Sequence, residues 1–140
     1  MPAELLNQSD FGYTAYKELN DLLVRFAHET RRDRIWFSAE AEAICRNRLG
    51  ARFLKVMRMA LDTARRYCSE SASNRDLMIR LRSRHVQKQL FIKISYTSRE
   101  GGIPGDVNIE EIRRIMTETG CYFRIRVENE QTNLNLAIPD

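Results

Sequence analysis

The sequence predicts an α+β fold: a two-layer α/β sandwich in which a mixed sheet carries its helices on one face. Two observations predict it. Apolar spacing switches between the helical period of about 3.6 and the strand period of about 2, in the order helix, strand, helix, strand, strand, helix, strand, strand. The strands of the second half alternate apolar with basic residues, so one face of the sheet suits a helical layer and the other suits water. At 140 residues and 43% hydrophobic, the chain has the length and apolar content of one domain with one core. The expected division within residues 1–140 is a tail over 1–13, a leading helix over 14–33 and a sandwich over 35–139.

Each element has its own pattern. Tyr16, Leu19, Leu22, Leu23, Phe26 and Ala27 fall at helical spacing with Lys17, Asp21 and Arg25 opposite, an amphipathic helix that RRDR ends. IWFSAEAE alternates Ile35, Phe37, Ala39 and Ala41 with Trp36, Ser38, Glu40 and Glu42, as a half-buried strand does. A loop through Asn47 and Gly50 leads to a second helix from Arg52 to Ser69. Its broad apolar face holds Phe53, Val56, Met57, Ala60, Leu61, Ala64, Tyr67 and Cys68. SESASN breaks the pattern, after which Leu77, Ile79 and Leu81 oppose Met78, Arg80, Arg82 and Arg84. QLFIKISYT is the next strand, reached through a polar connection over His85–Gln89 that suits a hairpin. SREGGIPGD reads as a loop. NIEEIRRIMTETG then has Asn108 as cap, Glu111 completing a capping box, Ile109, Ile112, Ile115 and Met116 as the core stripe and Gly120 as the stop. CYFRIRVE and TNLNLAIP finish as strands around NEQ. Arg80, Arg82, Arg84, Lys93, Arg124 and Arg126 therefore share one sheet face, opposite Ile79, Leu81, Ile92, Ile94, Phe123 and Ile125.

Composition excludes several function classes. No apolar run reaches the roughly 18 to 20 residues of a membrane helix, and the first residues lack a signal-peptide pattern, so a cytoplasmic protein without membrane insertion is expected. Three cysteines, Cys45, Cys68 and Cys121, without CxxC or Cys/His pairing, read as reduced thiols, with Cys68 and Cys121 buried and inert. Two distant histidines offer no HExxH, and neither a Walker A motif nor GxGxxG is present, so no catalytic residue and no metal ligand is assigned. A net charge of +4 with a pI near 9.2 permits an acidic partner without requiring one.

ALDTA in the second helix, IRRIMTETG in the third and the terminal LNLAIP, in this order of elements, resemble the histidine-kinase-like ATPase fold of the GHKL superfamily. The resemblance is to ATP-binding domains of bacterial sensor histidine kinases and runs from about residue 14 to 139. It implies a sandwich of that type and a place in two-component signal transduction. It also implies a nucleotide pocket, whose motifs here are degenerate. The family's N-L-L-D-N-A pattern, whose first asparagine holds magnesium, falls on Met59, Ala60, Leu61, Asp62, Thr63 and Ala64. A thioether is a poor ligand for a hard cation. The adenine loop, with its Asp or Asn followed two residues later by Gly, falls on Tyr96 and Ser98. The glycine-rich phosphate loop falls on Gly105, Asp106, Val107, Asn108 and Ile109, where Asp106, Glu110 and Glu111 suit the helix dipole and oppose a triphosphate. The vestigial pocket is thus Met59, Asp62, Thr63, Tyr96, Ser98, Gly105, Asp106 and Asn108. Asp62 also has Arg58 and Arg66 four residues to either side, enough for surface ion pairs.

Two local likenesses lead elsewhere. AHETRRDR imitates the phospho-acceptor box of sensor kinases, but His28 lies too close to Asp62 for the second helix of a dimerisation hairpin, so a solvent-facing His is expected. GIPG imitates the loop of a KH domain, but it follows a strand instead of joining two helices.

The expected function is a non-catalytic regulatory or protein-interaction module in signalling, a pseudokinase-like relative with a protein partner and no cofactor. One alternative is a working catalytic domain of a sensor histidine kinase, which would need ATP and Mg²⁺. A second is binding of nucleic acid or an acidic partner through the basic sheet face, against which stands a merely solvated face.

Overall fold

The computed structural model describes residues 17–41, 51–71, 75–84, 89–98 and 106–139. Among them the order is α1 (Lys17–Arg32), β1 (Trp36–Ala41), α2 (Ala51–Ser69), β2 (Asp76–Arg84), β3 (Gln89–Thr97), α3 (Val107–Glu118), β4 (Tyr122–Glu128) and β5 (Gln131–Pro139). This is the order the apolar spacing predicts. Residues 14–16, the loop through Asn47 and Gly50 with Cys45, the connection 85–88 and the GIPG loop lie outside the described residues.

The five strands form one mixed sheet in the order β1-β2-β3-β5-β4. β1 and β2 are parallel, with α2 as the crossover, and every other neighbouring pair is antiparallel. Strand alternation puts Phe37, Leu77, Ile79, Leu81, Ile92, Ile94, Leu134 and Leu136 on the inner face, all buried, with Phe123 and Ile125 half-buried beside them. Three amphipathic helices cover that face. α1 contributes Leu19, Leu23, Phe26 and Ala27, so the leading helix shares the core of the sandwich, and Phe26 meets Phe37 edge-to-face at 5.1 Å. α2 contributes Phe53, Val56, Met57, Ala60, Leu61, Ala64 and Cys68, and α3 contributes Ile109, Ile112, Ile115 and Met116.

Two helices end in the same way. At α3 the Cys121 amide donates to Met116 O (2.7 Å) and Gly120 N to Thr117 O (3.2 Å), with Gly120 at φ 70. At α1 the Ile35 amide donates to Thr30 O (2.9 Å) and Arg34 N to Arg31 O (3.1 Å), with Arg34 at φ 58. Both are Schellman closures, in which a left-handed residue satisfies the last carbonyls. Only the first uses the residue type that adopts this conformation without steric penalty.

Cys68 is buried, and burial pushes its thiol up to about 11, which keeps it protonated and unreactive. Cys121 departs from expectation. It is half-buried, because it follows the helix stop at the rim of the core. No helix among the described residues is long and apolar enough to cross a membrane.

Candidate functional site

The last turns of α2 and the first turn of α3 converge on one carboxylate. Asp106, in extended conformation, is the N-cap of α3, and its Oδ1 accepts from the amides of Asn108 (3.0 Å) and Ile109 (3.2 Å). Its Oδ2 accepts from Tyr67 Oη (2.7 Å) and from the Arg66 guanidinium, which also lies over the Tyr67 ring at 4.9 Å. A single side chain thus satisfies two of the helix's unpaired amides and complements the dipole. It also fastens α2 to α3. The Asp106 side chain is only 4% exposed, against 53% for Arg66. Partial burial opposes its charge. The hydrogen bonds from Tyr67 and the Ile109 amide, the Arg66 charge and the Asn108 amide outweigh that, holding the carboxyl below its usual range.

The predicted cap is therefore corrected. Asn108 is not the N-cap; it is inside the helix, and its amide is one of the groups being capped. Glu111 does not complete a capping box but pairs with Arg114, which also bonds Glu118. Arg66 likewise does not pair with Asp62. It reaches Asp106, which offers a nearly covered carboxylate beside Tyr67 where Asp62 offers an exposed one.

Tyr96, fully buried, sits behind this cluster. Burial pushes its hydroxyl pKa up, with Tyr67, Asp106 and Cys68 reinforcing the shift, while the neighbouring Thr132 hydroxyl pulls the other way. The Tyr96 and Thr132 hydroxyls interact electrostatically without reaching hydrogen-bond geometry, and the buried Thr63 hydroxyl has no partner either.

The architecture has counterparts among solved structures. The blue-light-activated histidine kinase of Erythrobacter litoralis matches through its kinase domain with a TM-score of 0.67 at 16% identity, over 82% of this chain and 56% of that one. The histidine kinase AdeS of Acinetobacter baumannii matches at 0.71 and 12% identity, over 99% of this chain and 73% of that one. The nucleotide-free catalytic domain of histidine kinase ThkA matches at 0.71 and 14% identity, over 88% and 91%. The chain has the fold of a histidine kinase ATP-binding domain. It spans little more than half of the Erythrobacter domain. No family model and no curated protein matches the sequence.

On this histidine kinase fold the residues singled out in the sequence fall into three places. Tyr96 and Asp106 lie together at the α2–α3 junction, Thr63 is buried on α2, Asn108 is in the first turn of α3 and Ser98 is buried at the end of β3. Met59 is half-buried against the core, and Gly105 lies outside the described residues. Asp62 stands apart on the α1 side of α2. It borders a crevice of about 20 Å³ with Leu22, Phe26 and Glu29, and its ion pair is with Arg58 at 4.0 Å. Partial burial and Glu29 raise its pKa, while Arg58 and Arg65 lower it.

Sequence reasoning missed Arg66 and Tyr67 as partners of Asp106, and Arg65 as the tie between helices. Arg65 donates to Asp33 (2.5 Å) and Glu29 (2.7 Å) of the α1 end. The signal in the chain is three consecutive polar-headed residues, Arg65, Arg66 and Tyr67, in the last turns of α2.

The basic face also forms. The register sets Glu40, Arg80, Lys93, Asn135 and Arg124 in one row across the sheet, and Ser38, Met78, Ser95, Asn133 and Arg126 in the next. A third row runs Arg82, Phe91, Ala137, Tyr122, and Arg84 lies beyond it opposite Gln89. Arg80 pairs with Glu40 at 3.0 Å, and Arg82, Lys93, Arg124 and Arg126 have exposed positions on the same face. Beneath them Ser95 Oγ donates to Asn133 Oδ1 (2.6 Å), a buried bond that makes the floor of this face polar.

Proposed function

We propose that this chain is a nucleotide-silent regulatory module of cytoplasmic signalling, built on the histidine kinase ATP-binding scaffold and acting through protein contacts. The observation that carries it is the Asp106 carboxylate. It occupies the start of α3 and holds the cations and donors, Arg66, Tyr67 and two backbone amides, that an anionic ligand there would need. A triphosphate would have to displace a covalently attached competitor and bear its charge at close range. The remaining residues do not fit a magnesium nucleotide. Met59 presents sulfur to a cation that takes oxygen ligands, and the fully buried Tyr96 ring fills space behind the cap.

One observation favours the reading in which ATP still binds: the Thr63 hydroxyl is buried without a partner at a position where the kinases carry an asparagine. Isothermal titration with ATP and Mg²⁺ separates the two. The proposal expects no heat of binding, and a micromolar dissociation constant would sink it.

A further inference from the structure

We infer that the open face of the sheet, away from the helices, is the docking surface of this module, and that its partner is a protein presenting an acidic patch with an apolar side chain at its centre. Three features of the face carry this. Charge is the first: outward positions of β2, β3 and β4 present Arg80, Arg82, Lys93, Arg124 and Arg126. The outward carboxylates, Glu40 on an edge strand, Asp76 at the start of β2 and Glu128 at the end of β4, all sit at the margin. Arg80, Arg82 and Lys93 stand on the interior strands β2 and β3 and Arg124 and Arg126 on the edge strand β4, so cations extend across the face, with carboxylates at its edge and strand ends.

A concavity is the second. A groove of about 240 Å³ opens between Arg80, Arg82, Phe91, Lys93, Tyr122 and Asn135, with Phe91 and Tyr122 on either side of the small Ala137 in one row. It has room for one apolar side chain, with Arg80, Arg82 and Lys93 on one side and Tyr122 and Asn135 on the other. Residue type is the third. Tyr122 (51% exposed) and Trp36 (55% exposed) stand on this same face with the arginines. Arginine, tyrosine and tryptophan are the side chains that dominate protein–protein binding energy.

The outward carboxylates weigh against a polyanion: Glu40 pairs with Arg80, and Asp76 and Glu128 stand on the same face, so a uniform line of phosphates would meet like charge there, and like charges at close range repel. A folded partner needs to match only the patch, acid against the arginines and the lysine and base against the carboxylates, which is electrostatic complementarity of the kind that selects partners. The inference rests on the proposal of an interaction module, yet its test leaves the α2–α3 junction untouched. A silent face with no ATP binding and an engaged face with ATP binding are therefore distinguishable outcomes.

The test uses the full chain and three fluorescein-labelled probes: a helical Glu/Leu peptide, a Lys/Leu peptide of the same pattern and a thymidine oligonucleotide of about twenty residues, each followed by anisotropy. The Glu/Leu peptide is expected to bind in the micromolar range at about 50 mM salt and roughly tenfold more weakly at about 300 mM. The Lys/Leu peptide is expected not to bind. Arg124→Glu combined with Arg126→Glu should weaken the Glu/Leu peptide at least about tenfold, and Tyr122→Ala about fivefold, at unchanged melting temperature. In a ¹⁵N-labelled sample the shifts should fall on β2, β3 and β4 rather than on α1 or α2. Three results overturn the inference: no binding of the Glu/Leu peptide, tighter binding of the oligonucleotide than of that peptide, or indifference to both the charge reversal and Tyr122→Ala.

Discussion

Replacing Asp106 tests whether its carboxylate organises the α2–α3 junction. Asp106→Ala removes an N-cap, worth about 1 kcal/mol. It also removes a hydrogen bond from Tyr67 to a charged acceptor, about 1.5 kcal/mol, and a pair with the half-exposed Arg66 that solvent screens to about 0.5 kcal/mol. The expected loss is about 3 kcal/mol, or roughly 10 °C in melting temperature for a chain of this length. Asp106→Asn keeps the Oδ1 cap but sets an amide nitrogen where Oδ2 accepts from Tyr67 and Arg66, so it should cost about 2 kcal/mol. Urea unfolding followed by far-UV circular dichroism measures both. The pH dependence has a defined sign. The folded carboxyl is held below its unfolded value near 3.9, so its contribution is complete above that value and is lost as pH falls through the lower, folded one. The gap between wild type and Asp106→Asn should accordingly be constant near neutrality and close below about pH 4. The Ala variant should also gain stabilisation from millimolar sulfate, by about 1.4 kcal/mol at roughly tenfold excess over its dissociation constant, while wild type gains none. A cost for Asp106→Ala below about 1 kcal/mol, or equal costs for Ala and Asn, would refute the reasoning.

Three further substitutions have defined outcomes. Thr63→Val exchanges an unpartnered buried hydroxyl for a methyl and should leave urea stability unchanged or raise it by up to about 1 kcal/mol; a loss of that size would reveal a partner for the hydroxyl. Asp62→Asn should change stability by no more than about 0.5 kcal/mol near neutrality; because the folded pKa of Asp62 is raised, wild type gains on the variant as pH falls through that value, and a fixed penalty at all pH values would contradict this. Gly120→Ala should cost about 1 kcal/mol through the left-handed backbone alone, since nothing stands within 4 Å of the added methyl, while Arg34→Gly should stabilise by several tenths; equal effects at the two sites would be inconsistent with both.

The element order was legible because each segment carries its own period, and a period is a local property. The strand β2 shows this: Leu77, Ile79 and Leu81 are all buried and Arg82 is exposed, as alternation requires. Choices between two adequate local partners were not legible. Asn108 and Glu111 have the spacing of a capping box, yet the helix starts earlier, because Asp106 can cap and also meet Tyr67 and Arg66 forty residues away. Arg66 illustrates the same competition from the other side. Its i−4 acid Asp62 is exposed, and a covered carboxylate with a second donor attracts it more strongly. Phe91 shares strand parity with Lys93, but its place beside Tyr122 depends on β5 lying between β3 and β4, and no feature of the sequence encodes that order.

The interior position of β5 has a consequence for biosynthesis. β5 is made after every strand it pairs with and pairs on both sides, with β3 and with β4, so the centre of the sheet stays open until residue 139 has left the ribosome. The β2–β3 hairpin and the helices can form earlier, but the inner edge of β3 must wait for β5. Completion of the sheet therefore depends on closure of long-range pairs, and until then β3 is open to pairing with the wrong strand.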